Sequence, residues 1–405
     1  MSIMALMRDG VDYVGLNKLS SIPDDDMPDY DTALNSSDSD KWLGAMDAEL
    51  DNIENHGTWK PAVLPSGRKM IDCKWVFRIK RDYSKGKVKS IKYKARLVIK
   101  GFKQLFGIDY FETFAPTVRA DTWRTVYAIA AEFGPTAILF QWDVVGAYLF
   151  ADLDEEIYMR APPGCNLPKG FNCLRLLKAL YGLKQAGRCW YKLLLSVLIP
   201  EGFISAEEDA CLFIHHGPNG EITLLCLFVD DLFGFSNERA FLMKVKARLD
   251  DVFDLKDAGD PEYVLGIHIE RNKTTGSIKL HQEKYIANML DKFNMTTCHT
   301  VRTPADPAVI LCVDDGSTLL TKDIPYREAV GALLFAAVMT VPNIAYAVSR
   351  VAKFVETPRE SHWTAVKRIF RYLKGNMDKG ICFEKTDGKP LIEMYCDADY
   401  TTDVL

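Results

Sequence analysis

Long apolar runs are missing from this 405-residue chain. The longest, GALLFAAVMTV from Gly331, ends at Pro342, well short of the roughly 18 residues a membrane-spanning helix needs, so no membrane association is expected. At the N-terminus no basic segment leads into an apolar one, and no secretory signal is read. The 10 cysteines are scattered singly. Without a C-x-x-C pair or a Cys/His set at zinc-ligand spacing, neither a disulfide framework nor a zinc module is indicated. A reducing, intracellular setting follows as the expectation. The chain also lacks an internal repeat.

What is present is ordinary in amount and uneven in placement. Hydrophobic residues make up 48% and charged residues 26%, which suits a soluble globular chain of two or three domains and excludes wholesale disorder. The formal net charge of -5 conceals a strong asymmetry: residues 1–60 hold 13 Asp/Glu against 4 Lys/Arg, whereas 68–103 hold 14 Lys/Arg against 2 aspartates. That basic block is interleaved with Trp75, Phe77, Tyr83, Tyr93 and Phe102. It reads either as a polyanion-binding surface or as a solvated hairpin.

Periodicity organises the rest. Residues 1–40, acidic and rich in Asp and Ser, read as a flexible lead-in. Asp40 is the expected N-cap of a helix that places Trp42, Met46, Leu50 and Ile53 on one face. The segments MIDCKWVFRIKR and SIKYKARLVIKGF form a predicted hairpin across SKGK. A helix at TWRTVYAIAAEF, a strand at AILFQWDVV and an amphipathic helix through QAGRCWYKLLLSVL come next. Then follow strand, turn and strand around VDD, the helix RAFLMKVKARLDDVF, a strand at YVLGIHIE, and a largely helical stretch from about 283 to 374. Hairpins without regular βαβ alternation point to α+β.

The pair Asp230–Asp231 interrupts the apolar run CLFVDDLFGF. Adjacent like charges inside such a run make either a solvated turn or a cation site. A tight turn would let both carboxylates project from one end of a sheet, and Asp143, closing the strand AILFQW, is a candidate third. Three carboxylates at strand ends make a natural Mg2+ site for phosphoryl transfer.

The blocks YKARLVIKGFKQ…FETFAPTV, QWDVVGAYLFADLDEEIYMRAPPG, LLKALYGLKQAGRCWYKLL, LFVDDLFGF, YVLGIHIE and YREAVGALLFAAV…PNIAYAVSRVAKF…HWTAVKRIFRYLKG, in this order over residues 41 to about 399, resemble the reverse transcriptase of copia-type long-terminal-repeat retrotransposons. The resemblance implies a right-hand polymerase: fingers and palm over 41–272, a largely helical thumb and connection over 273–390, and the start of a ribonuclease H-like domain over 391–405. It implies an RNA-directed DNA polymerase using two Mg2+ ions, with Mn2+ as an alternative. Its partners would be dNTPs and an RNA or DNA template annealed to a primer, in a cytoplasmic particle or in the nucleus.

Residue by residue, the resemblance assigns Asp143, Asp230 and Asp231 to the metals and Lys94 and Arg96 to the incoming triphosphate. Tyr148 becomes the steric gate against a ribose 2′-OH, and Gln185 packs beneath the nascent base pair, with Tyr181 and Gly182 shaping the approach. Leu265, Gly266 and Ile267 fall in the primer grip. Four positions depart from the family pattern. Phe228 stands where the Y-x-D-D tyrosine is usual, Val145 replaces a lysine, Gly187 replaces a proline, and the ribonuclease H match carries only its first aspartate, Asp397, so no ribonuclease H activity is expected. A remnant that binds nucleic acid without polymerising is the alternative; a generic metal-dependent phosphohydrolase would leave the gate and primer-grip matches unexplained.

Overall fold

The computed structural model describes residues 27–84, 87–386 and 393, with the side chains of 80–89 outside the described set. The lead-in up to residue 26 and the ribonuclease H-like stretch 391–405, Glu393 apart, lie outside the described residues, as does Asp397. Among the described residues the chain divides into two compact units, one lying within 27–122 and 139–259, the other within 123–138 and 260–386.

In the first unit a short helix, α1 (Tyr30–Leu34), is capped by the Asp29 carboxylate accepting from the Thr32 N–H; it forms inside the stretch read as a lead-in. Helix α2 (Ser39–Asn55) buries Trp42, Met46 and Ile53, the expected face. Its N-cap position is Asp38 rather than Asp40, and the Asp38 carboxylate accepts from Lys41 and Tyr93 instead of capping.

Strand β1 (Trp59–Ala62) is followed by the expected basic hairpin, β2 (Cys73–Ser84) and β3 (Lys87–Ile99), paired in antiparallel register from Cys73↔Ile99 to Ser84↔Lys87. Like charges crowd this hairpin, and aromatic packing from α2 counters their repulsion. Trp42 meets Phe77 edge-on at 5.1 Å and Tyr93 at 4.7 Å between ring centres, contacts of about 0.5–1.5 kcal/mol each beyond their burial.

Helix α3 (Ala120–Glu132) carries the chain into the second unit. It returns as β4 (Ile138–Val144), β5 (Asp152–Met159) and β6 (Cys173–Lys178). Helix α4 (Ala186–Leu198) and strands β7 (Ile204–Ser205), β8 (Leu212–His216), β9 (Ile222–Phe228) and β10 (Asp231–Ser236) follow. Helix α5 (Arg239–Asp250) and strand β11 (Leu255–Gly259) complete the unit.

Two further sheets result. One has the order β1-β6-β5, the other β11-β4-β10-β9-β8-β7. Strand β5 escapes a reading by alternation because acidic residues occupy its first positions and burial begins only at Ile157. The central strands are apolar on both faces: Leu224–Leu227 on β9 and Leu232, Phe233 and Phe235 on β10 are all buried.

The second unit holds a sheet β12 (Tyr263–Val264), β13 (Ile267–Arg271), β14 (Ile278–His281) and β15 (Gly380–Phe383), in that order. The single strand expected at YVLGIHIE is therefore broken in two. Leu265 and Gly266 adopt φ of 52° and 79°, which turns the chain back on itself as a two-residue hairpin. Helices α6 (Glu283–Lys292), α7 (Tyr326–Met339), α8 (Ala345–Ala352) and α9 (Glu360–Lys374) supply the helical stretch, interrupted between α6 and α7. Ile286, Leu333, Val348, Ile369 and Phe370 meet in its core. Among the described residues, no helix is long and apolar enough to cross a membrane.

Candidate active site

The aspartate pair sits on the β9–β10 hairpin, where Phe228 pairs with Asp231 and only Val229 and Asp230 form the loop. A loop this tight needs positive φ, and Val229 supplies it at 58°. That is costly for a β-branched residue. The Trp190 indole N–H, from buried α4, donates to the Val229 carbonyl at 2.7 Å, and its ring packs edge-on against Phe253 at 5.0 Å. The unfavourable turn is thus held from below.

Asp143 reaches the same sheet edge because β4 lies beside β10. Its neighbour Val144 donates its N–H to the Asp230 carbonyl at 3.0 Å. Gly146, at φ 69°, then bends the chain into a 3-10 turn over Ala147–Phe150, and Tyr148 projects from that turn. Where the resemblance leads one to expect a lysine, the Val145 N–H donates to the Asp254 carbonyl at 2.9 Å, so the backbone is anchored whichever side chain it carries.

An aromatic and cationic line joins the hairpin to the aspartates. The Arg96 guanidinium lies 4.8 Å from the Tyr181 ring centre, and Tyr181 meets Tyr148 edge-on at 4.9 Å. Burial, then the Asp230 carboxylate, pushes the Tyr148 hydroxyl upward, with Arg96 pulling the other way. Burial takes Tyr181 up to about 12 against the same arginine. Both phenols therefore stay neutral near pH 7. Lys94 shares a strand face with Arg96, two residues away. Glu49 lies beside both: its carboxyl accepts from the Leu97 N–H at 3.3 Å, and burial raises its pKa against the pull of Arg96 and Lys94.

The loops on either side of this line are locked together. The Ile99 N–H donates to the Tyr181 carbonyl at 2.9 Å. A Cβ on Gly182, whose φ is 94°, would collide with the Ile99 carbonyl oxygen, and one on Gly101 with that of Gly182. Gly187 similarly faces the Ala115 methyl, 2.9 Å from where its own Cβ would stand, which leaves little room for the proline that the resemblance leads one to expect. Gln185 is buried at 1% exposure, and its amide is spent inside the protein. It accepts from the Gln104 side chain at 2.9 Å and donates to the Asp109 carbonyl at 2.8 Å and to Glu155 at 3.1 Å.

Leu265 and Gly266 form the apex of the β12–β13 turn in the other unit, whereas Ile267 is a buried core residue. A row the sequence reading passed over is Phe106, Phe111 and Phe114, which with Phe102 are exposed at 57–78%. Four phenylalanines within thirteen residues were the available signal.

The sequence pattern that defines the family "Reverse transcriptase (RNA-dependent DNA polymerase)" matches residues 56–307. The chain belongs to the reverse transcriptase family. It is 37% identical over 390 residues to the retrovirus-related Pol polyprotein from transposon TNT 1-94 of Nicotiana tabacum, covering 95% of this chain and 29% of that protein. Against the Pol polyprotein from transposon RE1 of Arabidopsis thaliana it is 36% identical over 375 residues, covering 92% and 25% respectively. A putative transposon Ty5-1 protein of Saccharomyces cerevisiae is 31% identical over 261 residues, 64% of this chain and 83% of that protein. The chain thus spans less than a third of the plant polyproteins it matches. The reverse transcriptase match takes in the basic hairpin, the three aspartates, Tyr148 and the β12–β13 turn.

Proposed function

We propose that this chain is an RNA-directed DNA polymerase, extending a primer on an RNA or DNA template, and that the unit within 27–122 and 139–259 forms its fingers and palm. The thumb and connection then belong to the helical unit. The observation that carries this reading is the juxtaposition of β4 with the β9–β10 turn through the Val144 to Asp230 hydrogen bond, beside a line that ends on a fingers arginine. A solvated turn would explain neither.

The donor set fits divalent magnesium: Asp143 near the end of β4 and Asp230 and Asp231 at the β9–β10 turn offer only carboxylate oxygens, the ligand type this ion prefers. Asp143, Asp230 and Asp231 would hold the ions, which would supply charge that favours the ionised 3′-hydroxyl and the departing pyrophosphate. In the reaction the primer 3′-oxygen forms a bond to the α-phosphorus of the dNTP, the bond to the bridging oxygen of the β-phosphate breaks, and the hydroxyl proton is released. Lys94 and Arg96 neutralise the triphosphate by charge-assisted hydrogen bonds. Tyr148, wedged by Tyr181, closes the space a 2′-hydroxyl would need.

Gln185 contributes by fixing the loops at 104–109 and 184–185 rather than by offering a free amide. The β12–β13 turn serves as primer grip. The basic hairpin binds phosphates, and the exposed phenylalanines offer stacking faces to bases. Primer extension on an RNA template, with Mg2+ and dNTPs, tests the reading beside Asp230→Asn. Extension abolished in the variant supports it. Template–primer binding without extension in the unaltered chain would instead identify a remnant that binds nucleic acid only.

A further inference from the structure

Across the β13–β14 ladder His268 stands opposite His281, and Glu270, two residues along, projects from the same face. His268 Nδ1 lies 2.5 Å from His281 Nε2. Glu270 Oε1 lies 3.2 Å from His281 Nε2 and 3.9 Å from His268 Nδ1. Among the described residues, this is the one group of three His, Cys, Asp or Glu ligand atoms lying within 4.8 Å of one another. The other carboxylate oxygen of Glu270 meets Lys279 Nζ at 3.4 Å, which aims Oε1 at the imidazoles.

We propose that His268 Nδ1, His281 Nε2 and Glu270 Oε1 form a binding site for a divalent transition ion, Zn2+ being the best match, with a fourth position open to water. The ligand types decide the class. Two imidazole nitrogens with one carboxylate suit zinc, whereas magnesium prefers oxygens throughout. The spacing agrees with it. Tetrahedral zinc with bonds near 2.0–2.2 Å sets its donors roughly 3.3 Å apart, and the two nitrogen–oxygen separations bracket that value. The two nitrogens would open by about 0.8 Å to reach the same spacing, a small torsional change for His268, whose side chain is 29% exposed.

Protonation is compatible with the site. Burial and the neighbouring His268 push the His281 pKa down, more than Glu270 raises it, so the neutral, ligating form is favoured. The Glu283 backbone N–H points at His281 Nδ1 from 3.4 Å, which leaves the ring hydrogen on Nε2, shared toward His268 and Glu270. Ion binding would move that hydrogen to Nδ1, replacing the hydrogen shared toward His268 and Glu270 with bonds to the ion and displacing the long contact from Glu283. His281 is buried while Glu270 is exposed, so the ion enters from the solvent side.

The role is structural. His268 also pairs with Tyr263 on β12, the rings 4.6 Å apart, just behind the Leu265–Gly266 apex. An ion bridging β13 and β14 would stiffen that hairpin. The sequence offers no compact zinc-binding spacing here, because the ligands come from two strands and meet only through the ladder.

The test is titration of the full chain with Co2+ in excess Mg2+, reading the visible absorption of tetrahedral cobalt and its displacement by Zn2+. One equivalent is expected to bind. His268→Ala and Glu270→Gln should each weaken binding at least about tenfold, while Asp230→Asn leaves it unchanged. Glu270→Gln alters an exposed side chain and keeps the test decisive should His268→Ala fail to fold. Absence of the cobalt band, its persistence in Glu270→Gln, or its loss in Asp230→Asn would each overturn the proposal, leaving a hydrogen-bonded histidine pair. None of these outcomes depends on polymerase activity.

Discussion

The indole N–H of Trp190 donates across 2.7 Å to the carbonyl of Val229, a valine held at φ 58° in the aspartate turn. The left-handed conformation costs a non-glycine residue about 1–2 kcal/mol, and the turn keeps it because the rest of the hairpin leaves two residues for the reversal. Trp190→Phe removes the donor and strands a carbonyl, an expected loss of about 1–3 kcal/mol visible in the denaturation midpoint. Val229→Gly relieves the strain but adds freedom to the unfolded chain worth about 0.5–1 kcal/mol. Its stability should stay level or rise slightly while primer extension slows, since the turn no longer holds one geometry.

Arg96 stacks on Tyr181, which orients its guanidinium for the triphosphate role proposed above. Arg96→Ala should raise the KM for dNTP at least about tenfold, the effect of one charge-assisted contact of about 1.5–3 kcal/mol, with template–primer affinity nearly unchanged. Lys94→Ala should act in the same direction. Steady-state extension at varied dNTP concentration separates this outcome from a general loss of nucleic-acid binding.

Tyr148→Ala should let ribonucleotides in. A site that excludes a hydroxyl by shape alone discriminates by about 100-fold, so the ratio of dNTP to NTP efficiency is expected to fall toward unity. An unchanged ratio would remove Tyr148 from the gate.

Gly182→Ala should destabilise the chain by more than about 2 kcal/mol, because the new methyl meets the Ile99 carbonyl at a backbone angle that disfavours a side chain. Tyr181 would move with it. A shift in the thermal midpoint and a raised dNTP KM are expected together.

Acid stability offers a check away from the aspartates. Arg160, then Lys103, holds the Asp72 carboxyl at about 2, below its ordinary 3.8. A depressed carboxylate pKa stabilises the fold above the unfolded value, and the gain is lost as pH falls from about 4 to about 2. Arg160 and Lys103 are 62% and 47% exposed, so screening keeps the effect small. Urea midpoints of Asp72→Asn should fall less steeply over that window, and the difference should shrink in high salt.

Local pattern determined much of this protein from sequence alone. Alternation and turn chemistry placed the basic hairpin, the strand ending at Asp143 and the hairpin carrying Asp230 and Asp231, because side-chain period and turn preference act over a few residues. Only the tertiary structure decided which strands became neighbours. That β4 lies against β10, that Arg96 finds Tyr181, that Gln185 spends its amide on Gln104, Asp109 and Glu155, and that His268 faces His281 are all consequences of long-range packing. Strand β5 was hidden by its acidic start, and the break at Leu265 by a leucine in a conformation that leucine rarely adopts. Contacts between distant segments depend on how whole sheets close and bury their apolar faces, and that collective balance leaves no signature in any short stretch of residues.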